Sequence, residues 1–336
     1  MVRTSNLARR AAALALCAVT AGCTAGAASP GIGDVEPLIA PLAAADWQLV
    51  WADEFEGDTL DRSKWVPEQS CWGGGNNERQ CYTDRPENIA VEDGKLVLRA
   101  RRETLTGPDR PPEIAADPNP LVTRQFTSGK VRTRGLHAWK YGRIEARAKV
   151  PAGQGMWPAI WMMPADDHYG SWPLSGEIDI LEAVNIGASC GDCGGGRGEN
   201  RTVSALHFGD PWPDNSYVSN RTALPSQALP SDDFHVYAVE WGEGLIRFLV
   251  DDRVHFTVTP DQWHTASPLA RGNRNAPFDQ PFYVMANLAV GGDWPESEND
   301  RGFAEDSVPN QFAIDWIRVY RCASDPQAGR ACIKRN

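Results

Sequence analysis

The sequence predicts an all-β chain built as one large sandwich, and three observations carry that reading. Short runs rich in β-branched and aromatic residues recur between Gly, Pro, Asn and Asp. Neither a long amphipathic helical stretch nor an internal repeat interrupts them. The 336 residues, once an N-terminal leader is set aside, suit a single sandwich better than two domains.

The leader comes first. Arg3, Arg9 and Arg10 precede an Ala/Leu-rich run too short to span a membrane as a mature helix, which is the pattern of an export signal. Val19-Thr20-Ala21-Gly22-Cys23 matches a lipoprotein processing box, in which Cys23 becomes the lipidated first residue and attaches the protein to a membrane. Ala25-Gly26-Ala27 offers an ordinary cleavage site instead. The expectation is an exported protein, held at the cell surface through Cys23 or secreted. Residues 24–45, rich in Ala, Gly and Pro, form a tether, and 46–336 the single domain.

Within that domain the β-rich runs are Lys95–Arg99, Gly142–Val150, Val236–Trp241 and Ile246–Val250. Asp251-Asp252 is a hairpin turn into Arg253–Thr257. Glu103–Pro120 is too Pro-rich for a strand and is expected to be a surface loop. Gly191–Asn200 is a flexible excursion placed to wall one end of a cleft.

Cys17 and Cys23 belong to the leader, which leaves Cys71, Cys81, Cys190, Cys193, Cys322 and Cys332. An even set in an exported chain implies disulfides. Connectivity is open from sequence, and the local pairs 71 with 81, 190 with 193 and 322 with 332 are expected. Zinc at Cys190-Gly-Asp-Cys193 is the competing reading, but no second His/Cys pair lies nearby.

The chemistry concentrates in Ser175–Glu182. Ile178, Ile180 and Leu181 make this a buried strand, yet it carries Glu177, Asp179 and Glu182. Alternation puts Glu177 and Asp179 on one face and Glu182 on the other. A one-residue bulge around Ile180-Leu181 would bring all three together. The two Glu are then about 13 Å apart along the backbone, and side chains leaning inward can approach the roughly 5 to 5.5 Å carboxyl separation of a retaining glycosidase. Trp157, Trp161 and Trp172 lie just before the acids. Each offers a flat apolar surface with one N–H donor, suited to sugar rings, although a core role is the ordinary alternative. A net charge of −11, despite the basic leader, speaks against nucleic acid and for a neutral polysaccharide. Arg79 and Arg147 are the evident cations for a charged glycan.

Gly176–Glu182 resembles the signature of family 16 glycoside hydrolases in its bulged form. Trp51–Phe55, Gly75–Glu78, Tyr141–Arg147, Leu206–Gly209, Val239–Trp241, Asn287–Gly292 and Ile314–Tyr320 extend the resemblance over most of the chain. The resemblance implies a concanavalin-like β-jelly-roll sandwich with a concave substrate cleft, and the activity of a laminarinase, an endo-β-1,3-glucanase. It implies Glu177 as nucleophile, Glu182 as acid/base and Asp179 between them. Asn77 and Glu78, on a loop bracketed by Cys71 and Cys81, would bind substrate together with Trp157, Trp161 and Trp172, and His207 would line the cleft near the acid/base. A structural Ca²⁺ held by Asp315 and the Gly94 carbonyl is implied, with no cofactor for catalysis and a monomeric state. Hydrolysis of β-1,3-1,4-glucan or of a galactan, and non-catalytic β-glucan recognition, are the alternatives. Recognition proteins of this family lack the acids that this chain keeps.

Overall fold

The computed structural model describes residues 46–333, so the export signal, the tether and Cys23 lie outside the described residues. What is described belongs to one compact unit, Ala44–Asn336. Among the described residues, seventeen strands fall into two sheets. A seven-stranded antiparallel sheet runs Asn215–Ala223, Arg201–Gly209, Glu177–Glu182, Met156–Pro164, Phe282–Val290, Lys130–Arg132, Val66–Pro67. The ten-stranded sheet has at its centre Gly142–Lys149, Asn310–Cys322 and Lys95–Pro108. The one α-helix among the described residues is the single turn Asp293–Ser297.

The alternation of side chains builds the core. Ile144, Ala146 and Ala148 are buried between the outward-facing Arg143 and Arg147. Ile178, Ile180 and Leu181 of the facing sheet meet the same core, with Leu98, Phe248, Phe312 and Trp241. Truncating one of the large aromatics to Ala costs about 3 to 5 kcal/mol at sites of this kind. The predicted hairpin is present: Asp251 and Asp252 both take positive φ, 48° and 60°, the type I′ turn that matches strand twist.

The three local disulfides are those expected, Cys71–Cys81, Cys190–Cys193 and Cys322–Cys332. The Pro-rich segment departs from expectation. The strand Lys95–Pro108 continues through Glu103, paired with Leu121–Ser128 until Pro108 faces Leu121, and only 109–120 forms a loop. Proline is tolerated here because it ends the strand, where its carbonyl accepts from Cys71 N at 2.7 Å and no N–H is required.

Candidate active site

Gly176, at φ 85°, turns the chain into the acid-bearing strand where an added Cβ would press on Phe278 and Pro277. Glu177 then faces His207, Asp179 faces Ala205 and Glu182 faces Val203. Three steps on this strand oppose two on its neighbour. On the other side Asp179 and Leu181 oppose Trp161 and Ile160, two steps against one. Ile180 is therefore the extra residue of a bulge. It sends Ile180 and Leu181 both into the core and leaves Glu177, Asp179 and Glu182 on the opposite face.

Each Glu has its own indole donor. Trp172 Nε1 donates to Glu177 Oε2 at 2.8 Å, and Trp157 Nε1 donates to Glu182 Oε1 at 3.0 Å. Burial pushes both carboxyls up to about 7. It lifts Asp179 well above the usual range, and the charges of Glu177 and Glu182 lift it further. Asp179 is thus the trio's proton holder, and its side-chain hydrogen bond to Glu177 favours the ionised form of that residue. Glu182 gains from the neighbouring His207 and Trp157 but is opposed by the charges of Glu177 and Glu78. Two carboxyls raised to about 7, each with its own indole donor, can supply between them one ionised and one protonated group, the pairing that nucleophile and acid/base require.

His207 lines the site beside the acids, and it couples electrostatically to Glu182. Its Nε2 lies 3.4 Å from Asp179 Oδ2 and 3.9 Å from Glu177 Oε1, because the register sets it directly opposite Glu177. Burial lowers its pKa, and the charge of Glu182 works against that shift. Ligand atoms of Glu177, Asp179 and His207 lie within 4.8 Å of one another, and the side-chain hydrogen bond between Asp179 and Glu177 accounts for the closeness of those two carboxyls.

The expected binding residues divide. Trp157 is half-buried and meets Trp294 edge-on at 5.2 Å, Trp172 is exposed, and Tyr217 stacks on His207 at 5.5 Å. Trp161 donates to Asn287 Oδ1 at 2.7 Å; Asn287 Nδ2 donates to the Tyr82 hydroxyl at 3.1 Å, which donates in turn to Glu78 Oε2 at 3.4 Å. Glu78 is buried and also accepts from Gln80 at 2.6 Å. Its carboxylate is fixed in this hydrogen-bonded network, and its charge acts on Glu182. Asn77 is exposed and donates to both carboxylate oxygens of Asp293 at 3.0 Å, beside a pocket that Arg79, Arg124 and Glu296 also line.

Asn287, Tyr82, Trp294 and Tyr217 were not singled out by the sequence. A single Asn in the apolar strand Phe282–Val290 was the available signal, since a buried amide needs partners. Of the two evident cations, Arg147 lies in the ten-stranded sheet and pairs with Asp315 at 2.6 Å, and Arg79 is neutralised by Glu296 at 2.6 Å.

The calcium ligands can be tested on the same contacts. Ile314 faces Leu96, so Asp315 does fall beside the turn that holds Gly94. Calcium takes six to eight oxygens. The Asp315 carboxylate already carries the Arg147 guanidinium, so the residues as placed do not fit the ion.

A β-sandwich that displays a carboxylate pair with separate donors and a third acid between them is a glycoside hydrolase. Residues 47–322 match the family profile described as beta-porphyranase A-D, GH16 domain. The chain is 39% identical over 288 residues to glucan endo-1,3-beta-glucosidase A1 of Niallia circulans, an alignment covering 83% of this chain and 38% of that longer protein. It is 37% identical over 282 residues to a beta-glucanase of Rhodothermus marinus, covering 83% and 86%. The solved laminarinase of Rhodothermus marinus matches with a TM-score of 0.65 at 36% identity, over 82% of this chain and 97% of that one. The chain belongs to glycoside hydrolase family 16.

Proposed function

We propose that this chain is an endo-acting β-1,3-glucanase that cleaves laminarin-type glucan with retention of configuration. One observation carries the mechanism: the Ile180 bulge gathers Glu177, Asp179 and Glu182 on one face, each buried enough to hold a raised pKa. Ionised Glu177 attacks the anomeric carbon while Glu182 gives its proton to the departing glycosidic oxygen, forming a glycosyl-enzyme. Glu182, now a carboxylate, takes a proton from water as that water attacks the same carbon. Asp179 keeps its proton and holds Glu177 in line. The likeness to glucan endo-1,3-beta-glucosidase and laminarinase supports β-1,3-glucan as substrate.

Incubation of the mature protein with laminarin, followed by NMR of the fresh products, tests this reading. β-Anomers as first products are expected, and α-anomers would overturn retention. Faster release from lichenan than from laminarin would move the assignment to mixed-linkage glucan. The export motif and Cys23 box support an enzyme acting outside the cytoplasm, at the cell surface or free; a globomycin-insensitive, unlipidated product would exclude the anchor.

A further inference from the structure

Lys130 and Arg132 alternate on one short strand, so they project to one side while Val131 enters the core, and Arg134, in the turn that follows, joins Arg132 at the same Glu113 oxygen. That side is the acid face. Arg132 faces Met285, Met285 faces Trp161 and Trp161 faces Asp179, which sets Arg132 three strands, or roughly 14 Å, from Asp179. Lys130 Nζ sits 4.9 Å from the Trp161 ring centroid, and Arg134 lies 5.7 Å over Tyr283. Lys130 and Arg132 are each only 7% exposed.

Two acids answer these three cations. Glu68, itself buried, takes Lys130 at 3.0 Å and Arg132 at 3.4 Å and is further held by Ser70. The other is Glu113, carried by the short turn Pro112–Ile114 of the loop 109–120, which pairs with Arg132 and, at 3.3 Å, with Arg134. Arg132 Nε, buried, still has no hydrogen-bond partner. A chain with net charge −11 has therefore placed three cations on the acid face, balanced by the buried Glu68 and by Glu113 reaching in from a surface loop.

We propose that Arg132 and Arg134 form a subsite for an oxyanion borne by the glycan, a sulfate ester or a carboxylate, and that Glu113 fills this subsite when no such group is bound. Guanidinium forks match either anion in a bidentate manner. The oxyanion takes the place of the Glu113 carboxylate, which swings out with its loop, while Glu68 continues to balance Lys130. The inference deepens the reading of the chain as a β-glucanase by adding tolerance of anionic substituents at a distance of about three strand spacings from the acids.

The test is calorimetric binding in a Glu182→Gln background, which prevents turnover, using laminarin, sulfated laminarin and laminarin oxidised at C6 to carboxylate. Glu113→Gln is expected to raise affinity for at least one anionic polymer about fivefold relative to laminarin, and Arg134→Gln to lower it by a similar factor, both effects fading at high salt. The responding polymer identifies the anion. If both variants leave the anionic-to-neutral ratio within twofold on both polymers, or Glu113→Gln only lowers the melting temperature, the group is a structural staple and the proposal falls. Absence of laminarin hydrolysis by the unmodified enzyme would sink the proposed function instead, and leaves this binding measurement decisive for the subsite.

Discussion

The indole N–H of Trp172 lies 2.8 Å from Oε2 of Glu177, and this bond gives an exposed aromatic a second duty besides any stacking on sugar. A hydrogen bond to a charged group contributes about 1.5 to 3 kcal/mol. Exposure of Trp172, at 37%, reduces that here. Trp172→Phe keeps a ring and removes the donor. It is expected to lower kcat/KM about tenfold and to move the acid limb of the pH profile upward, because ionised Glu177 loses support. A rise in KM with an unmoved limb would show the ring to be a platform alone.

The acid trio makes stability depend on pH in a definite direction. Folded carboxyls whose pKa is raised favour the protonated state, so their contribution is fully present below the unfolded values and is lost as pH rises through about 7. Glu182→Gln removes one such group. Its melting temperature is expected to exceed the unmodified enzyme's by roughly 3 °C at pH 8 and to match it at pH 4. Equal melting temperatures at both pH values would contradict the burial-driven shift.

The same shifts bound the activity. Glu182 has to enter the reaction protonated, so kcat/KM is expected to fall as pH rises past about 7. Azide separates the roles of the two Glu. With an activated β-glycoside, Glu182→Ala should still form the glycosyl-enzyme and yield the β-glycosyl azide after two inversions. Glu177→Ala, lacking the nucleophile, should give the α-azide by one displacement. Both should lose most activity on laminarin, Glu182→Ala by about 10²- to 10⁴-fold for the missing acid/base. Exchanged anomers would exchange the roles.

Chelation addresses the carboxylate at Asp315. Because Arg147 already balances it at 2.6 Å, EDTA is expected to leave the unfolding midpoint unchanged. A drop of several degrees, reversed by Ca²⁺, would mean that Arg147 yields the carboxylate to the ion.

Much of the site was legible locally. Period-two alternation set Glu182 in conflict with Glu177, and the conflict itself called for the bulge found at Ile180. Asp251-Asp252 announced its turn, and each disulfide closed over a short separation, 10, 3 and 10 residues. The Pro-rich segment misled for an equally local reason, since propensity does not reveal whether a proline falls at the end of a strand, as Pro108 does.

By itself the sequence determined which face each strand residue takes, because side-chain alternation is a property of the single strand. It thereby placed three acids among core-forming residues and marked the chemistry. The tertiary structure alone decided which remote residues meet on that face. Tyr82 meets Asn287 across 205 positions, His207 comes within 3.4 Å of Asp179, Glu78 accepts from Gln80, and Glu113 reaches Arg132. Those contacts follow from the order and register of strands across the sheet, which depend on the packing of the whole sandwich and leave no periodic trace in any one segment.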